Sequence, residues 1–286
     1  VDVIASLLYH WIIRSFALPF VVALLGTGAL RLLAGPVHGP RMAGAAVILA
    51  FLVAAVGIMG VPLPPPTSAS GKVLWIALGA ATLGVLVASL RAPRPLARGA
   101  LVLASGLSIA WLLGWTPPVF PEVGLLGRGG ALWLGLGAAL DRLYRVSAKG
   151  SDGAVMLTIA AAGTAAIALL GGAVTLARLA GALAAAAAGF LVWSWPLARY
   201  PLGGVAVFGA GMALAGLVAA CALHPGTSRL ALLALLAVFF ADAALRRLPL
   251  PGGELGDAVR TLALAGVCLM PAAAAVLVAY IIRLVW

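Results

Sequence analysis

Two acid–base pairs stand out in a chain with few charges. Asp141 precedes Arg145 by four residues, and Asp242 precedes Arg246 by the same interval. That spacing puts each pair on one face of a helix, acid before base in the favoured order. Each pair sits where an apolar run ends. Arginine suits the negative C-terminal end of a helix and aspartate does not, so the arginine offsets the cost of the acid. Such pairs suit either a helix-terminating ion pair or a gate and binding pair at the mouth of a bundle. Arg128 and Arg229 are a second matched set, each placed to open an apolar segment. They are candidates for capturing an anionic substrate or a lipid headgroup, or for reaching out to the headgroup layer.

Other chemistries lack their residues. His10, His38 and His224 are scattered without metal-ligand spacing. Cys221 and Cys268 lie in apolar stretches and read as small core residues, giving neither a disulfide framework nor a metal site. There is no P-loop, no dinucleotide fingerprint, no G-x-S-x-G and no H-E-x-x-H. Gly253-Glu-Leu-Gly-Asp257 departs at Glu254 from the G-x-G-D of intramembrane aspartyl proteases, and no second midspan aspartate partners it. No catalytic residue, metal or cofactor is therefore expected. Proton coupling is disfavoured as well, because no acid falls at the centre of an apolar segment.

The elements that must position these residues follow from composition. Of 286 residues, 64% are hydrophobic and only 9% are charged. Soluble domains carry roughly 25% charged residues, so this chain cannot clothe a water-facing globule. The expected fold is an all-α polytopic transmembrane bundle. Crossing the hydrocarbon takes roughly 20 apolar residues, and ten segments fit: 8–33, 44–61, 73–90, 99–115, 128–145, 154–171, 174–195, 202–222, 229–246 and 257–283. Only Gly171-Gly172 divides the sixth from the seventh, and reading through it would leave nine. The first segment lacks a basic start and is too long for a cleaved signal, so it reads as a retained helix. The connections are too short to hold a soluble domain.

Eighteen Lys and Arg outweigh seven Asp and Glu, for a net charge of +11. The basic residues sit singly in short loops rather than on one aromatic-rich face, which argues against nucleic acid. Twelve of them fall after odd-numbered segments: Arg31, Arg41, Arg91, Arg94, Arg98, Arg142, Arg145, Lys149, Arg199, Arg246, Arg247 and Arg260. The positive-inside rule makes that side cytoplasmic, facing anionic headgroups, with both termini outside. Arginine in place of lysine, with abundant Ala and Gly, suggests a GC-rich bacterial coding sequence and hence an inner-membrane location. Most of the tryptophans, Trp75, Trp111, Trp115, Trp193, Trp195 and Trp286 among them, lie near segment ends, as in an aromatic belt. Small-residue runs such as 184–189 suit close helix packing.

A shift of 101 residues superposes several rare charges. Pro95-Leu-Ala-Arg98 falls on Pro196-Leu-Ala-Arg199, Arg128 on Arg229, Asp141 on Asp242 and Arg145 on Arg246. This implies a parallel duplication of a four-helix unit, helices 3–6 repeated as 7–10, behind an N-terminal pair. The expected divisions are 1–70, 71–171 and 172–286. Two function classes follow. One is a permease-like protein moving a small weakly polar or anionic solute or lipid. The other is a non-catalytic subunit or assembly factor of a larger membrane complex. Membrane lipids are expected partners in both, with protein subunits added in the second.

Overall fold

The computed structural model describes residues 11–61, 64, 66–114, 123–148, 150–195, 200–247 and 254–285, with backbone alone at 34, 36–41, 123–126, 128, 254 and 255. These residues form ten helices and no strand. Helix α1 begins with a π-helical turn, Ile13–Ala17, and continues as Leu18–Met42 across a break at Gly35. Then come α2 (Ala45–Met59), α3 (Ala69–Ser89), α4 (Arg94–Leu112) and α5 (Val123–Val146). They are followed by α6 (Asp152–Leu170), α7 (Val174–Ser194) and α8 (Gly203–Leu223, with a π-helical turn at Val207–Gly211). Helix α9 runs as Arg229–Leu235, a 3-10 stretch Leu236–Phe240, and Ala241–Leu245, and α10 is Glu254–Val285.

Local chemistry sets the boundaries. The Ser68 hydroxyl accepts from Gly71 N at 3.1 Å to start α3, and Ser228 accepts from Ala231 N at 3.3 Å to start α9. Prolines at 93 and 95 bracket the first residue of α4. Gly172 divides α6 from α7. It takes φ of 76°, while Ala173 N donates to Ala168 O and Gly172 N to Leu169 O, at 2.9 and 3.1 Å. This is a Schellman ending, which favours glycine at its left-handed position.

Seven of the ten helices are long and apolar enough to cross a membrane: the Ile13–Leu33 part of α1, and α3, α4, α6, α7, α8 and α10. The expectation of ten such segments therefore holds only in part. Helix α2 has 15 residues, α5 carries several charges and glycines, and α9 is broken by its 3-10 stretch. Helix α5 also starts earlier than expected, which places Arg128 in its second turn instead of at its opening.

Helix α8 is the axis of the bundle, with its whole apolar stretch buried. It has no charge and is rich in Gly and Ala, so neighbours approach on every side. Gly84 of α3 lies where a Cβ would come within 2.6 Å of Phe208 Cβ. Helices α6 and α7 form the most extensive pair, and α7 also packs along α1 and α2. At Gly189, in the small-residue run, a Cβ would meet Phe20 O at 2.4 Å. Tryptophan N–H groups tie helices together: Trp193 Nε1 donates to Leu24 O and Trp133 Nε1 to Val102 O, both at 2.8 Å.

The outer surface is apolar. Leu25, Leu103, Leu107, Met270, Leu277 and Leu284 are all more than half exposed. They lie on α1, α4 and α10, and a surface of that kind is a lipid-facing one. The packing of 3–6 differs from that of 7–10. Helix α4 lies along α5 while α8 barely touches α9; α9 lies along α10 while α5 meets α6 only briefly.

Candidate functional site

Among the described residues the charged groups gather at the two ends of the bundle, with different chemistry at each. At the end holding the starts of the even-numbered helices, aspartates are clasped by arginines. Asp242, only 2% exposed, accepts from Arg142 Nε at 3.2 Å, from a second Arg142 nitrogen at 2.6 Å, and from Arg246 at 3.0 Å. Asp141 is bound by Arg145 at 2.6 Å and by Arg98 Nε. Asp152 is bound by Arg260 at 2.9 Å. Beside it, Ser151 and Thr261 share a hydrogen bond of 2.9 Å, and Thr261 also donates to Asp257 O.

These contacts fasten α4 to α5, α5 to α9 and α6 to α10. Both i, i+4 pairs expected from the sequence form, Asp141–Arg145 and Asp242–Arg246. Neither is isolated, because each aspartate also holds an arginine from another position. Arg142 was not a candidate. Successive residues on a helix point about 100° apart, so Asp141 faces α4 and Arg142 faces α9. Asp141, on α5, and Asp242, on α9, thus hold no arginine in common.

At the opposite end the cations cap helices. Lys72 Nζ donates to Trp111 O at 2.9 Å, at the close of α4, and lies 5.7 Å from the Trp111 ring centre. Arg229 Nε donates to Ala222 O at 3.2 Å, in the last turn of α8. Arg14 reaches Gly57 O of α2 at 3.5 Å. The final carbonyls of a helix have no partner within it and carry partial negative charge, so a cation satisfies both needs. The neighbouring helix start supplies that cation in each case. Arg178 instead donates to the buried Ser15 hydroxyl at 3.0 Å, beside the π-helical turn of α1. Arg229 is thus engaged with the protein's own backbone. The side chain of its proposed counterpart, Arg128, lies outside the described residues.

The spaces among the described residues include three. A void of about 10 Å³ lies in the middle, walled by apolar residues of α5, α6, α8 and α9 with Thr164. A cleft of about 320 Å³ runs between α3 and α4, between Trp75 and Trp111. The third, about 570 Å³, is at the capping end between the α6–α7 turn, the α8–α9 loop and the last turns of α10. Cys221 and Cys268 are buried and unbonded to each other. No protein-family model matches the chain, and no curated protein matches it either.

Proposed function

We propose that this chain is a permease-like membrane protein that moves a small weakly polar or anionic solute or lipid through the helix bundle. The asymmetry of its two ends carries the reading. Interlocked arginine–aspartate pairs fasten one end, the centre is nearly closed, and the other end opens into a cavity of about 570 Å³. A carrier closed on one side and open on the other has this form. The fastened side would open when the Arg142–Asp242 contact parts, and the irregular turns in α8 and α9 lie near the helices that must move.

In this reading all ten helices cross the bilayer. The end contacts support that: each one joins groups that an alternating path would bring to the same side. Arg14 reaches Gly57, Lys72 reaches Trp111, Arg98 reaches Asp141, and Arg260 reaches Asp152. The ion-pair end is the cytoplasmic one, since it gathers most of the arginine, and both termini face out. The location is a bacterial inner membrane, with anionic headgroups against the basic end. The matched charges at a spacing of 101 stand as a proposed ancestral duplication whose copies have since packed differently.

The test combines Asp141→Asn with Asp242→Asn and Thr164→Cys in a background lacking the native cysteines. Release of the latch predicts that a thiol reagent reaches position 164 from the ion-pair side faster than in the parent. Equal labelling would remove the gate. The second reading, a subunit of a larger complex, draws on the small size and apolar lining of the central void among the described residues. It predicts stoichiometric partner chains in the native mass of protein extracted in mild detergent.

A further inference from the structure

The cavity at the capping end contains polar groups that the capping contacts leave unused. Arg283, in the last turn of α10, is exposed at its wall and has no carboxylate partner among the described residues. Thr227 also forms part of the wall. It is only 6% exposed, and its hydroxyl oxygen is buried with no hydrogen-bond partner. That oxygen is turned onto Gly171 and closed to the cavity, so it meets a ligand only after rotation about χ1, and leaving it unpaired is costly. The Ser228 hydroxyl accepts from Ala231 N, so its own proton is free to donate. These groups share the cavity with the apolar side chains of Ile167 and Ile282. The close approach of the two loops is built in: a Cβ at Gly171 would meet Thr227 Oγ1 at 2.6 Å and Gly226 O at 2.9 Å.

A guanidinium, the Ser228 hydroxyl and a Thr227 hydroxyl one side-chain rotation away, beside an apolar floor, match one class of ligand. We infer that this cavity binds an anionic amphiphile, its phosphate or carboxylate at Arg283 with Thr227 and Ser228, its hydrocarbon against Ile167 and Ile282. A volume of about 570 Å³ accommodates a headgroup and the first part of a chain. The same chemistry is offered by an anionic phospholipid and by a free alkyl phosphate. The inference rests on the reading that this end opens at the membrane surface, and it does not require transport.

The experiment uses the full chain in two arms. Native mass spectrometry from nanodiscs of mixed phosphatidylglycerol and phosphatidylcholine reads retained lipid. Titration of detergent-solubilised protein with octyl phosphate, against inorganic phosphate, reads a free amphiphile through a thermal shift. The wild type should retain phosphatidylglycerol over phosphatidylcholine, or shift with octyl phosphate and not with inorganic phosphate. Arg283→Gln should weaken binding roughly tenfold, the scale of one charge-assisted hydrogen bond. Thr227→Val should also weaken it while leaving the ligand-free melting temperature unchanged or raised, because it removes an unpaired hydroxyl. Thr227→Ser should restore binding. Binding by both Arg283→Gln and Thr227→Val at wild-type strength, or no preference for either anionic probe, overturns the site. Binding without movement of octyl phosphate into proteoliposomes keeps the site and counts against the permease reading. Movement indifferent to Arg283 and Thr227 does the reverse.

Discussion

Replacing Asp242 by Asn should be the most damaging single change among the charged residues at the ion-pair end. The carboxylate is 2% exposed and accepts three hydrogen bonds, two of them from Arg142, which is itself only 17% exposed. Removing the negative charge leaves a mostly buried guanidinium beside a neutral amide. Breaking a buried pair in this way costs about 3–5 kcal/mol, and the lower end applies because Asn keeps one acceptor and Arg246 can turn to water. Asp141→Asn is the internal comparison. Its arginines, Arg98 and Arg145, are 39% and 50% exposed, so solvent recovers most of what they lose, and the effect should be clearly smaller. Unfolding of the purified protein by titration with a denaturing detergent measures both. The double variant Arg142→Met with Asp242→Leu should regain most of the stability, because an apolar pair needs no desolvated charge. The reasoning fails if Asp242→Asn is no worse than Asp141→Asn, or if the double variant is as unstable as the single one.

Two glycines on one helix should behave oppositely. Gly84→Ala puts a methyl group within 2.6 Å of the buried Phe208 and should cost about 1–3 kcal/mol by overpacking. Gly79→Ala meets nothing within 4 Å on the same helix and should be neutral or stabilising by about 0.5–1 kcal/mol. Thermal unfolding in detergent compares them. Arg91 follows α3 with a left-handed φ of 50°, where side chains are disfavoured. Arg91→Gly should therefore raise stability by about 1 kcal/mol in the same assay.

Much of the fold was legible because it rests on local signals. The Gly171-Gly172 division is an example: a glycine that can take positive φ ends one helix and allows the next to begin. The start of α5 was less legible. Gly124-Leu-Leu-Gly127 reads as a loop by composition, yet it forms helix, since glycine is tolerated in a helix among apolar neighbours. The 3-10 stretch that interrupts α9 leaves no mark in an apolar run of Leu, Ala, Val and Phe. At the polar ends, the i, i+4 pairs were readable because a helix fixes their distance. Arg142 and Arg98 were not, since their partners lie 100 and 43 residues away. Only the packing of α5 against α9 and α4 brings them together. The bond from Arg229 to Ala222 O was not legible either, because that carbonyl becomes its neighbour only when the α8–α9 loop folds back.

The central proposal is that ten helices pass through the bilayer in strict alternation, with the ion pairs at one face and the capping cations at the other. Single cysteines at Ala92, Ala148 and Arg247, and at Thr67, Gly172 and Pro225, in a background lacking Cys221 and Cys268, test it directly. A membrane-impermeant maleimide added to intact cells should label the second set only, and the first set should label after the membrane is opened. Labelling of Gly172 together with Ala148 from one side would mean that α6 does not cross, and the alternating arrangement would be wrong.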